Sequence, residues 1–430
     1  MRPEIALAKN LFDQLQIGTA DPPGVTRASF GEGEAFAHAL VAETAKSMEL
    51  EISHDVAGNQ YMTWPGTDRS APPVITGSHL DSVNHGGNYD GAAGVIMGLA
   101  AIHALQQQGF RPQRDITVMA IRAEEMMWFP THYCGSRMAF GLLDPGDYDA
   151  VRRSDTGRSL AEHMKQAGFD PDALKAGAQP LDPTSIHAFI EAHIEQGPIL
   201  QERGFPVGIV SGIRGNLRYK HCRIDGRYDH AGAVPREYRH DAVFAGTEFV
   251  QVLERHWNDC QAAGDDFVAT VGEFHTDPSI HAITKVPGQV RFTMDIRSLD
   301  NRLLLQTDAL LRHEAVRISA QRGVSIDLGA FTHAQPAPMH SELRRILEDI
   351  AQSESIPALT MASGAGHDCA TFTWQGVPTA MIFVRNQNGS HNPDEAMEIV
   401  DFAAGTRLLE GLLKQASKTC QPLDLLCGIH

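Results

Sequence analysis

Cysteine is scarce in this chain. Six residues in 430 (Cys134, Cys222, Cys260, Cys369, Cys420 and Cys427) stand apart, and no pair has Cys-x-x-Cys spacing. That excludes a disulfide framework and a thiolate zinc site, and it fits reduced thiols in a reducing compartment. Long apolar runs are missing too, since none approaches the roughly 20 residues of a membrane span. Residues 1–10 hold no apolar core of signal-peptide length. A cytoplasmic protein with no membrane partner is therefore expected. Positive charge is in deficit, with 36 Lys and Arg against 53 Asp and Glu and a net charge of −17. Such a field repels nucleic acid and anionic membrane surfaces, so neither is expected as a partner. A local anion site stays open, because Arg214, Arg218, Arg236, Arg239 and Arg297 are available to build one. Internal repeats and low-complexity segments are absent.

What is present is ordinary for a globular protein, with 42% hydrophobic and 21% charged residues. At 430 residues the chain exceeds the size at which single cores split, so two domains are expected. Helical spacing marks residues 5–15, with a shorter run at 36–40, and strands are expected near 50–52 and 61–63. Residues 74–76 read as a buried strand, 91–108 as an apolar helix, 115–121 and 188–192 as strands, and 135–140 as a helix start. The polar segment 142–185 is expected on the surface. This β-α-β-α alternation predicts a layered α/β domain with a largely parallel sheet. The pattern changes near Gly212. From there strands and helices follow in the order β-α-β-β-α-β, which is the ferredoxin-like α+β order. The expected division is a catalytic domain of residues 1–210 and 332–430, interrupted by an inserted domain of residues 211–331. A strand at 378–384 and a helix at 401–414 close the chain, with a poorly ordered tail from Ser417.

Chemistry concentrates at the predicted strand ends. Residues 79–91 carry His79, Asp81 and Asp90 around a glycine-rich turn. His79 and Asp90 suit metal ligands, and Asp81 suits a carboxylate that orients His79. Asp90 before Gly-Ala-Ala also suits a plain helix N-cap. Glu124 and Glu125 follow the strand 115–121, His193 ends 188–192, and His391 follows 378–384. Imidazoles and carboxylates without thiolates suit Zn²⁺, Mn²⁺ or Co²⁺ at a catalytic site. Five ligands exceed what one ion with an open position needs, and Asp90 is the best bridge between two ions. Glu124, beside the ligand Glu125, is placed to move a proton. His230, in Asp229-His-Ala-Gly-Ala-Val-Pro235, suits either a satisfied core histidine or a donor to oxyanion charge. Arg297 suits either a carboxylate clamp or a surface ion pair.

Collected, these segments carry a resemblance. They are Gly77-Ser-His-Leu-Asp-Ser82, Gly86-Gly-Asn-Tyr-Asp-Gly91, Glu124-Glu125, Ala192-His-Ile-Glu-Gln-Gly-Pro198, His230-Ala-Gly232, Ser363-Gly-Ala-Gly-His-Asp368 and Ser390-His-Asn-Pro-Asp-Glu395. In this order the chain resembles the M20 metallopeptidase superfamily. It is most similar to the amidase branch of N-carbamoyl-L-amino-acid hydrolases, allantoate amidohydrolases and β-ureidopropionases. The resemblance implies an amidohydrolase that cleaves a non-peptide C–N bond of an N-carbamoyl (ureido) amino acid or related small carboxylate with metal-activated water. It implies two divalent ions per subunit, Zn²⁺ first, with Mn²⁺, Co²⁺ or Ni²⁺ as alternatives. His79, Asp90 and His193 would hold one ion, and Asp90, Glu125 and His391 the other. Glu124 would be the general base, assisted by Asp81. His230 would enter from the partner of a homodimer joined through the inserted domain. Gln196, Arg297, Gly364, Ala365, Asn216 and His281 would contact a substrate carrying a carboxylate. It also implies a cis peptide at Asp90–Gly91.

The chain departs from the branch at Met126-Met-Trp-Phe-Pro130, at His281 and Thr284, and at Arg236. Met126, Met127 and Trp128 would line a pocket for a larger acyl group, or Trp128 would pack in the core. The alternatives to carry are a hydrolase of N-acyl, including aromatic, amino-acid conjugates or dipeptides, and, more remotely, a metal-bound binding protein without catalysis.

Overall fold

In the computed structural model of the chain, residues 2–418 are described. The expectation of a disordered tail falls almost wholly outside them. The chain divides into two compact units, Met1–Gly212 with Pro338–His430, and Ile213–Ala337.

The first unit is built on one mixed sheet. Its centre is four parallel strands in the spatial order Thr379–Val384, Ala188–Ile194, Val74–His79, Ile116–Ile121. Antiparallel strands flank them: Val207–Ile213 on one side, Gln60–Trp64 and then Glu51–His54 on the other. Every residue of the four central strands is buried. Burial on both faces is what helical cover of a parallel sheet produces, and it explains why these strands read as continuous apolar runs rather than alternating ones. Along Ala188–Ile194 the even residues join the large core beneath Ala92–Gln107. The odd residues face the other way, where the Phe189 ring stacks on Phe372 of the helix Cys369–Trp374 with centroids 3.7 Å apart.

The connection after Val74–His79 runs to Ile116–Ile121, whereas the chain after Ala188–Ile194 eventually returns as Thr379–Val384 on the opposite side. The crevice between Val74–His79 and Ala188–Ile194 is thus a topological switch point, where α/β sheets place ligands.

The second unit has the ferredoxin-like arrangement. Its antiparallel sheet runs Val268–His275, Gln289–Ser298, Gly215–Asp225, Ser325–Asp327, with helices Ala242–Ala263 and Asn301–Arg322. Its core gathers Phe249, Phe292, Leu304 and Leu311. Asp241 caps the first helix, its carboxylate accepting from the amides of Val243 and Phe244 at 3.0 and 3.1 Å.

Three departures from the sequence reading matter. Val207–Ile213 and Ala358–Ser363 are strands that the sequence did not announce. Glycines and a serine break the first, and only partial burial weakens the apolar signal of the second. The segment 142–185 is not merely surface. Tyr148, Leu160, Met164 and Leu174 pack with Phe30, Trp128 and Phe129 into a small separate core.

Candidate metal centre

Two imidazoles face each other across the switch point. His79 is the last residue of its strand and His193 the last but one of its neighbour. Their Nε2 atoms lie 3.4 Å apart, and both side chains are almost wholly buried. His79 Nδ1 lies 3.0 Å from the Asp81 carbonyl and 3.4 Å from Asp81 Oδ1, while His193 Nδ1 lies 2.9 Å from the Ile194 carbonyl. With Nδ1 turned to these carbonyls, Nε2 is the nitrogen left for a cation once each ring is neutral. Both Nε2 atoms face Asp90 Oδ1, at 3.6 Å from His79 and 3.2 Å from His193, and the Gly91 amide lies 3.1 Å from His193 Nε2. The second oxygen of Asp90 looks the other way. Asp90 Oδ2 is 3.4 Å from His391 Nε2, which is itself 3.7 Å from Glu125 Oε2. One carboxylate therefore has an oxygen on each of two donor sets, and the potential ligand atoms of His79, Asp90 and His193, and of Asp90, Glu125 and His391, lie within 4.8 Å of one another in each set.

Several groups fix Asp90. Its amide and that of Tyr89 donate to Glu395 Oε1, and Ser390 Oγ, with one proton to give, lies within hydrogen-bond reach of both Glu395 Oε2 and Asp90 Oδ2. Gln196 Nε2 donates to Asp90 Oδ2 at 2.8 Å. The buried Arg27 guanidinium donates to the carbonyls of Leu80 and Asp90 at 2.7 and 3.4 Å. Asp90 does not cap the following helix. That position falls to Gly91, and no side chain caps it. Gly91 has φ +66°, and a Cβ there would lie 2.4 Å from the His79 ring, so only glycine lets the chain pass behind the imidazole. The expected cis bond at Asp90–Gly91 is absent; among the described residues the cis peptide is Pro22–Pro23.

The Glu124–Glu125 corner is held just as closely. The Asp81 carboxylate accepts from both of their amides, at 3.1 and 3.0 Å, and from Ser29 Oγ at 2.6 Å. Asp81 thereby ties His79 to the corner and takes no position in either donor set. Ala123 sits at φ +55°, pinned by a buried pair in which Glu34 accepts from the Ala123 amide and from Arg122. Trp128 is core. Its indole donates to the Ser82 carbonyl at 2.7 Å, and it packs in the small cluster with Phe129 and Phe30. Of the three residues weighed as pocket lining, only Met126 and Met127 are exposed.

Charge in this space is unbalanced. Burial raises the Glu125 carboxyl, and the charge of Asp90 adds to it, bringing it to about 7. Burial lifts Glu124 well above the carboxylate range, helped by Glu125 and Asp368. Burial also works against the charged form of Asp90, but His193, His391 and His79 overcome it and hold that carboxylate well below its usual range. The hydrogen bond to Asp90 raises His391 to about 9 despite partial burial. Glu125 Oε1 has no hydrogen-bond partner among the described residues. An orphaned buried carboxylate oxygen, two imidazoles with converging Nε2 atoms and no thiolate form a set that a divalent cation satisfies.

The remaining candidates fall elsewhere. Gly364 and Ala365 lie in the loop that leads to His367, whose ring packs against His193 with centroids 4.5 Å apart. His230, Asn216, Arg297 and His281 belong to the second unit. Exposed His230 accepts on Nδ1 from the amides of Gly232 and Ala233, both at 3.1 Å. Asn216 and Arg297 are cross-strand partners, and Arg297 forks onto Asp295 at 2.9 and 2.8 Å. His281 Nδ1 bonds Thr276 Oγ1 at 2.6 Å. Sequence reasoning missed Arg27 and Glu34, which come from a loop and helix far from the motifs, and gave no role to Arg122, two residues before Glu124. Glu395 stood inside a quoted motif but had no role assigned.

The sheet, its switch-point histidines and the divided carboxylate define a hydrolase class with metal-binding strand ends. The chain belongs to peptidase family M20/M25/M40, whose profile matches residues 75–415, and within it to the amidase branch. It is 36% identical over 369 residues to allantoate amidohydrolase of Escherichia coli, covering 85% of this chain and 86% of that one. It is 35% identical over 404 residues to N-carbamoyl-L-amino acid amidohydrolase of Geobacillus stearothermophilus, covering 94% and 96%. A crystal structure of an amidase of the hydantoinase/carbamoylase family from Burkholderia multivorans superposes with a TM-score of 0.87 at 29% identity, covering 97% of this chain and 98% of that one.

Proposed function

We propose that this chain is a cytoplasmic, homodimeric metallohydrolase that cleaves the non-peptide C–N bond of an N-carbamoyl (ureido) amino acid or a related small carboxylate. The observation that carries the reading is Asp90, with Oδ1 beside His79 and His193 and Oδ2 beside His391, next to a carboxylate pair at 124–125. His79, Asp90 and His193 would hold one divalent ion, and Asp90, Glu125 and His391 a second, with Zn²⁺ the first choice. When bound, such ions polarise a carbonyl and acidify water.

The chain's own groups do the rest. Glu124 takes the proton of the attacking water and returns it to the leaving nitrogen. Its strongly raised pKa, set first by burial, suits a carboxyl that must hold that proton between the two steps. Asp81 keeps Glu124 and His79 in register through the amide and imidazole bonds described above. His230 acts from the partner subunit. Because its Nδ1 accepts two amides, the proton sits on Nε2, which leaves an outward donor suited to a carbonyl oxygen gaining charge. Asn216 and Arg297, neighbours across two strands, bind the substrate carboxylate, and Arg297 exchanges Asp295 for it. Gln196, His281 and the backbone at Gly364 and Ala365 are the further substrate contacts in this reading. Dimerisation runs through the inserted unit.

A second reading has one observation behind it. Met126 and Met127, immediately after Glu125, are 43% and 39% exposed, an apolar pair suited to an acyl or aromatic group. Metal-reconstituted protein assayed on N-carbamoyl, ureido, N-acetyl and N-benzoyl amino acids separates the two. Turnover confined to the carbamoyl and ureido compounds is expected. Turnover confined to N-acyl compounds would replace the first reading by the second.

A further inference from the structure

One polar side chain at this site has no part in the scheme above. Residues 124–134 leave the strand Ile116–Ile121, loop out through Met126 and Met127, and close on themselves. The Cys134 amide donates to the Ala123 carbonyl at 3.2 Å, which brings Tyr133 back beside Glu124. Tyr133 stands at φ +51°, in the left-handed region that a bulky side chain seldom adopts. Its carbonyl is held in that geometry by the Arg137 amide at 2.9 Å and by Ser136 Oγ at 3.4 Å. A backbone kept in a costly conformation by its surroundings is a common mark of a side chain that has to point one way.

The half-buried ring lies against Trp374, with centroids 6.3 Å apart, and reaches the loop 364–367. A Cβ added to Gly366 would sit 1.8 Å from the Tyr133 hydroxyl oxygen, so that oxygen touches the glycine's backbone. The same loop carries His367, packed on His193. The phenol thus spans the interval between the Glu124 corner and the loop beside the His193 imidazole. No hydrogen bond of the hydroxyl exists among the described residues. A tyrosine this enclosed ordinarily finds a partner for its O–H. Burial first, and the charges of Glu124 and Asp368 next, push the phenol above its ordinary range, so it stays a donor at any working pH.

We infer that Tyr133 is a further catalytic residue, its O–H donating a hydrogen bond to the carbonyl oxygen of the amide or ureido group presented to Glu124. The inference rests on the hydrolytic reading above, but not on which acyl class is cleaved. The bond strengthens as the carbonyl oxygen gains charge, so its loss falls on kcat more than on KM.

The test compares Tyr133→Phe and Tyr133→Leu with the parent, all metal-loaded and full-length, on the four-class panel. Removing one donor to a developing oxyanion costs about 10²–10³ in kcat. The Phe variant should lose about that much, with KM within about twofold and metal content and Tm unchanged. The Leu variant should lose as much or more. A Phe variant at parent kcat overturns the assignment. If only the Leu variant then falls, the ring serves packing against Trp374 alone. Parent turnover confined to N-acyl compounds sinks the ureido reading but leaves the Phe comparison intact on those substrates. Absence of turnover on every compound sinks both.

Discussion

The two oxygens of Asp90 look into different surroundings. On the Oδ1 side stand His79 and His193, whose side chains are 3% and 1% exposed and whose Nδ1 atoms are committed to main-chain carbonyls. On the Oδ2 side stands His391, 53% exposed, in a loop with φ +60°. One half of the centre is preorganised inside the sheet, and the other is completed from the surface. The halves should therefore differ in metal affinity and in exchange, although they share a bridge. Preorganised ligands lose little freedom when an ion arrives, whereas a surface imidazole must be ordered at that moment.

The largest effect breaks the chemistry without touching either half. Glu124→Gln leaves both donor sets intact and removes the proton carrier. General acid–base contributions run to about 10²–10⁴-fold, so kcat should fall toward the upper end of that range. Metal content, read by atomic emission on the desalted protein, should match the parent. A variant that turned over at the parent rate would place the proton transfer elsewhere.

Removing one imidazole from each half tests the asymmetry itself. His193→Ala opens a buried space and strips the enclosed donor set. His391→Ala removes a half-exposed ring. Losing even a hydrogen-bond partner of a metal ligand costs about 10–100-fold in affinity, and loss of a ligand should cost more. The expected result is near-complete loss of bound metal in His193→Ala and retention of one ion per chain in His391→Ala. Without metal, His391→Ala should lower the Tm less than His193→Ala does, since the His391 ring is 53% exposed. His193→Ala should lower it by several degrees. Equal metal loss in the two variants would dissolve the distinction between the halves.

The same asymmetry decided what could be read from sequence. The five candidate ligands were legible because each stands at or after a strand end or, like Asp90, at a helix start, where the pattern of buried runs is strong. The order of the inserted unit was legible because its strands and helices alternate clearly, as in Gly215–Asp225 and Gln289–Ser298. Arg27, Glu34 and Arg122 were not. Their contribution depends on contacts across 53–89 positions of sequence, and isolated charged residues carry no period. Whether Asp90 capped a helix or faced a cation was open in the sequence, because both uses need the same residue type before the same helix. Only the direction of its oxygens separates them. Trp128 was ambiguous for a similar reason, because an indole suits a pocket wall as well as a core, and its bond to the Ser82 carbonyl fixes it in the core.

The smallest effect is a pH dependence, to which the outer half contributes through two groups. In metal-free protein Glu125 keeps its proton to about 7, raised first by burial, and His391 keeps its proton to about 9, raised first by Asp90. Both folded values lie above those of the unfolded chain. The stabilisation they contribute is therefore complete below their unfolded values and is lost as pH rises through about 7 and then about 9. Chelated protein should accordingly lose Tm in that window. Both groups must also shed their protons to bind a cation, so occupancy of the outer half should rise with pH over the same window. The inner half is proton-coupled as well. Burial works against the charged forms of His79 and His193, but Asp81 and Asp90 hold His79 well above the imidazole range and Asp90 raises His193. A metal titration by calorimetry between pH 6 and 9 should therefore show affinity climbing with pH for both ions, and His391→Ala should remove only the outer half's share of the climb. If that variant kept the whole climb, the proton-coupled ligands would lie on the buried side alone.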